Sequence, residues 1–79
     1  MGYAHLAKND LSFTTEVEKH VHKVISGMRY GDKVCIPLSI ASSKEEMAVA
    51  IKKSTRYNCM DVRVTWPKNN DGEVTITID

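Results

Sequence analysis

Apolar and polar positions along this chain alternate with two periods, one helical and one of two residues. Val17, Val21, Val24, Ile25 and Met28 recur at helical spacing. At about 100° per residue they fall within an arc of roughly 100°, a single buried stripe. Thr15 and Glu18 have the spacing of a capping box, in which each side chain satisfies a backbone N–H at the helix start. Gly31 offers a left-handed stop. The pattern predicts a helix over 15–30, with Lys19, Lys23, Ser26 and Tyr30 on its far side.

The period then changes to two. Val34, Ile36, Leu38 and Ile40 alternate with Cys35, Pro37 and Ser39, which predicts a strand over 33–40 with one apolar face. Pro37 cannot donate to a ladder, so this strand is expected at an edge or to meet its neighbour on one side only at that point. A second helix starts at Ser42 or Ser43, each three residues before a glutamate, and buries Met47, Ala50, Ile51 and Ser54. Ala48 and Thr55 lie on its flank, and Asn58 is its expected left-handed stop. Met60, Val62, Val64 and Trp66 mark another strand, followed by turn residues around Asp71-Gly72. Val74, Ile76 and Ile78 mark the last strand, which forms a hairpin with its predecessor. "LSF" at 11–13 reads as a short first strand, or residues 1–14 as a loosely ordered arm.

These elements predict one α+β domain over 1–79, a two-layer sandwich of (β)αβαββ order. Two helices pack on one face of a three- or four-stranded mixed sheet, with a right-handed parallel crossover between the strands near 33 and 66. The element order is similar to that of Alba-type chromatin proteins, the C-terminal domain of the third translation initiation factor, and sulfur-relay carriers. The resemblance lies in order alone. The carriers start a helix with Cys-Pro-x-Pro, and "CIPLS" at 35–39 departs from that.

Composition narrows function by exclusion. With 42% hydrophobic and 27% charged residues among 79, the chain has the make-up of an ordinary small globule. A net charge of +1 and a pI of 7.8 are too mild for a protein held to nucleic acid by bulk charge. The chain shows two cysteines, no N-x-[ST] sequon, no apolar run of spanning length and no signal-peptide pattern. Together these set the expectation of a cytoplasmic protein with no membrane partner.

Catalytic and metal constellations are not apparent in the pattern. His20 and His22 sit two apart on a helix and point about 160° away from each other, so they cannot share an ion. His20 is expected at the border of the buried stripe and His22 toward water beside Glu18. Cys35 and Cys59 read as small, buried or half-buried thiols. The glycines are scattered and form no phosphate loop. The expectation is a non-enzyme with no catalytic residues, no metal and no cofactor.

Binding remains. Glu73, Thr75, Ile76 and Thr77 lie in a last strand of high β-propensity without proline; as an edge, it would pair with another protein or a second copy of the chain. Val49 lies in the middle of the second helix's solvent face, ringed by Glu45, Glu46, Lys52 and Lys53, and is a candidate contact centre. The leading expectation is a protein-binding module of adaptor or inhibitor type acting through either surface. The alternative is nucleic-acid binding by Lys19, Lys23, Lys52, Lys53 and Arg56, with Tyr57 stacking on a base. The same basic residues also complement the dipole of the second helix.

Overall fold

The computed structural model describes residues 13–79. The strand or arm expected at the chain start falls outside them, save Phe13 and Thr14. The fold is α+β: helix α1 (Glu16–Ser26), strand β1 (Lys33–Pro37), a 3-10 turn (Leu38–Ile40), helix α2 (Lys44–Tyr57), strand β2 (Val62–Thr65) and strand β3 (Glu73–Ile78). The strands form an antiparallel sheet in the order β1-β3-β2.

The capping box at Thr15 forms as its spacing predicts. Thr15 Oγ1 accepts from the Glu18 N–H at 3.0 Å, and Glu18 Oε1 accepts from the Thr15 and Thr14 N–H groups. The helix ends at Gly27, four residues before the expected stop. Gly31 instead uses its left-handed freedom, at φ 89°, in the turn into β1. There its N–H donates to the Ile78 carbonyl, so the turn is tied to the sheet. Early termination still lets Met28 reach the core.

Ser43 is the cap of α2, its Oγ accepting the Glu46 N–H at 3.1 Å. Glu46 reaches back to the Ser42 N–H instead of that of Ser43. At the other end Asn58 is not the left-handed residue: Cys59 is, at φ 54°. The Met60 N–H donates to the Thr55 carbonyl and the Cys59 N–H to that of Arg56, the paired bonds of a Schellman motif. Asn58 uses its side chain instead, as described below.

The sheet departs from expectation in two ways. It is antiparallel throughout: β1 and β2 run in the same direction but β3 lies between them, so the expected parallel neighbours share no ladder. The last strand is therefore central, and the expected edge at Glu73, Thr75, Ile76 and Thr77 does not exist. Thr75 faces Cys35 on one side and Thr65 on the other; Thr77 lies between Lys33 and Arg63. Ile76 lies between Val34 and Val64, and Glu73 is opposite Pro37. The physical reason is that β3 has the most complete inward face, with Val74, Ile76 and Ile78 all buried. A central strand makes use of such a face from both sides.

Among the described residues β1 and β2 are the outer strands, and they carry the features that blunt edges. β2 has only four residues and includes Arg63. At the two ends of β1, the Ile78 N–H bonds to the Asp32 carbonyl and the Leu38 N–H to the Gly72 carbonyl; these bonds set the alternation, so Lys33, Cys35 and Pro37 turn their backbone groups outward. Pro37, expected at an edge, thus sits where no ladder donor is required. The chain breaks into the 3-10 turn directly after it, and Ile40, expected inward, is left exposed. The apolar residues of both helices and of one sheet face share a single core, built on Val21, Ile25, Ile36, Met47, Val74 and Ile76.

Candidate interaction surface

The two helices run in the same direction. Glu18 meets Lys53, His22 meets Ser54, and Ser26 meets Asn58, so positions advance together along both. This contact line lies beside the core stripe of α1, on a flank that the single-stripe pattern left to solvent.

Glu18 is the most constrained charge on it. Lys53 Nζ donates to Glu18 Oε2 at 2.9 Å, with the two side chains 28% and 8% exposed. Burial alone pushes the Glu18 carboxyl up. The hydrogen bond from Lys53, the Thr14 and Thr15 N–H groups and the Lys53 charge outweigh burial and hold it below the usual glutamate range. Lys53, a candidate both for the contact ring and for phosphate binding, is thus engaged inside the protein.

One turn on, His22 Nδ1 lies 2.9 Å from Ser54 Oγ and 3.3 Å from Ser26 Oγ. Asn58 Nδ2 donates to Ser26 Oγ at 3.1 Å and to the Ser54 carbonyl at 3.0 Å. The His22 ring stacks on Phe13 at 3.9 Å and meets Tyr57 edge-on at 5.0 Å. The expected placement of the histidines is reversed: His22 is half-buried in this network and His20 is exposed. Ser54 is fully buried, so its hydroxyl is closed to a substrate and its contact with His22 joins the helices.

The outer surface of α2 is different. Glu45, Val49, Lys52 and Arg56 are all exposed, and Val49 retains 48% of its surface. Their spacing of four, three and four places them within an arc of about 60°, opposite the buried Met47, Ala50, Ile51 and Ser54. Tyr57, 56% exposed, stands on the shoulder between this stripe and the crevice. On α1, Lys23 and Lys19 are exposed, and Lys19 lies 3.9 Å from Glu16. The candidates for nucleic acid therefore split into exposed Lys19, Lys23, Lys52, Arg56 and Tyr57, and the internally paired Lys53.

Elsewhere the structure offers little chemistry. Cys35 and Cys59 are free and exposed, not buried; Cys35 Sγ lies 3.6 Å from Thr75 Oγ1. A depression at the start of α2 is lined by Ser39, Ser42, Ser43, Lys44 and Asn70. The Ser43 hydroxyl and Ser42 N–H there are already spent on capping. Among the described residues no cluster of three or more His, Cys, Asp or Glu could hold a metal. Among them, too, no helix is long and apolar enough to cross a membrane.

The crevice residues were not legible as a group, because Glu18, His22, Ser54 and Asn58 converge only once α2 lies along α1. No protein-family model, curated protein or solved structure matches the chain.

Proposed function

We propose that the protein is a small, non-enzymatic intracellular binding module of adaptor or inhibitor type, and that it engages another protein through the outer face of its helices. In this reading the helices form one layer over the sheet, so that the α2 stripe is the most outward part of the molecule. The observation that carries it is Val49, an exposed apolar side chain at the middle of a straight stripe whose other members are Glu45, Lys52 and Arg56. An apolar centre with a charged rim is the anatomy of a protein contact. Strand pairing through Glu73, Thr75, Ile76 and Thr77 drops out of the proposal, since β3 lies between β1 and β2, with Thr75, Ile76 and Thr77 paired on both sides and Glu73 paired with Pro37.

A photo-crosslinking residue at position 49, compared with one at position 75 on the sheet face, tests the reading. Expected are protein adducts at 49, sensitive to protease and not to nuclease, and few at 75. Adducts removed by nuclease would replace this reading with the nucleic-acid alternative, carried by Lys19, Lys23, Lys52, Arg56 and Tyr57. In that event labelled RNA should bind and lose affinity by orders of magnitude between about 50 and 200 mM salt.

A further inference from the structure

The α2 stripe has an order as well as a composition. Glu45 begins it, Val49 follows, and Lys52 and Arg56 end it, over about 16 Å of helix. A spacing of four, three and four is that of a helix–helix seam. The helix dipole accounts for part of the order only. It favours the acid near the start and Arg56 in the last turn, but it fades within a turn and does not reach Lys52. Nor, among the described residues, does an ion pair account for Lys52, as it does for Lys53.

An acidic start and a basic end on one straight stripe are self-complementary when two such helices lie antiparallel. With the two-fold axis midway between Val49 and Lys52, Glu45 of one chain faces Arg56 of the other, twice over. Each Val49 then rests against the aliphatic stem of the partner's Lys52, whose ammonium stays in water. The two Lys52 residues flank the axis, about 4.5 Å apart along the helix direction, and their ammoniums turn away from each other into water.

We infer that the partner of this surface is a second copy of the chain, docked α2 on α2 in an antiparallel, two-fold arrangement. The inference rests on the reading of the outer helix face as a protein-binding site. Only one helix pair is covered, well short of a standard interface, so the association is weak, with a dissociation constant on the order of hundreds of micromolar at low salt.

The test is sedimentation equilibrium of the full chain up to millimolar concentration at low salt. The wild type should rise toward twice the monomer mass and fall back as salt screens the ion pairs. Glu45→Lys and Arg56→Glu each turn two attractions into two repulsions and should weaken association by about tenfold or more. An equimolar mixture of the two single variants restores both ion pairs across the axis and should associate as well as wild type. So should the double variant alone. All substituted positions are exposed, and circular dichroism checks that each variant is folded. A wild type that stays monomeric, single reversals that associate undiminished, or a mixture that fails to associate would each overturn the inference. If the chain stays monomeric while position 49 crosslinks to a different protein, the inference falls and the binding reading stands. If position 49 yields no adduct at all, both fall.

Discussion

Lys52 and Lys53 are neighbours in sequence with opposite physical roles, and they stand for the two exposed-looking sides of α2. Lys53 turns toward α1 and neutralises a carboxylate that burial would otherwise penalise. Lys52 turns to solvent in a stripe with Glu45, Val49 and Arg56. On the crevice side the polar side chains are committed to one another: Glu18 to Lys53 and two backbone donors, His22 to two hydroxyls, Asn58 to Ser26 and Ser54. On the outer side the charges of Glu45, Lys52 and Arg56 are arranged along one stripe without such commitments among the described residues. A run of basic residues is therefore not one feature. Its members divide between holding the fold and facing a partner, according to which neighbour each meets.

The largest expected effect tests the inner side. Lys53→Met leaves the Glu18 carboxylate without its cation in a mostly buried position and should destabilise the fold by about 2 kcal/mol, discounted for the partial exposure of Lys53. Lys52→Met should change stability by less than about 0.5 kcal/mol. Urea denaturation of both variants measures the contrast; equal losses would mean that the two lysines do not differ in kind.

Acid should act on the same pair. The Glu18 pKa is lowered in the folded state, so its contribution is fully present above the unfolded glutamate value of about 4.3. It is lost as pH falls through the lower folded value, because the unfolded chain then takes up the proton first. Thermal unfolding between pH 6 and 3 should show a steeper acid loss for wild type than for Lys53→Met. Parallel curves would count against the ion pair as the source.

A change that touches neither side separates stability from docking. Cys59 holds the left-handed position of the Schellman motif, where glycine carries no Cβ penalty. Cys59→Gly should raise stability by about 1 kcal/mol and leave the sedimentation behaviour unchanged. A loss of stability would show that the thiol has a packing role absent from the backbone account.

The smallest expected effect on stability belongs to Val49→Ser, within about 0.5 kcal/mol, because the side chain is half exposed and opposite the core. Its effect on association should nevertheless be clear in the same sedimentation series, with the dimer population reduced. A Val49→Ser chain that associates like wild type would move the contact away from the stripe.

Much of this protein was determined by local sequence. The capping box at Thr15, the Ser43 cap, the inward sets of α1 and α2, and the alternation of β2 and β3 are interactions within a few residues or periodicities along one element. They are encoded wherever the residues stand in order. Pro37 likewise announced an edge, since the missing donor is a property of the residue. The outward stripe through Val49 was legible for the same reason: angles around one helix follow from counting.

Tertiary structure decided the rest. Whether β3 lies at an edge or between β1 and β2 depends on which distant strands pair, and an apolar face of period two does not say how many neighbours flank it. The burial of Glu18, the inward turn of His22 and the separate fate of Lys53 exist only because α2 lies parallel to α1 and covers a second flank of it. Where the left-handed residue falls at the end of α2 depends on where the chain must go next, and so Cys59 took the position expected of Asn58. Periodicity reports one buried direction per element; packing against a second element adds another, and its direction comes from contacts remote in sequence.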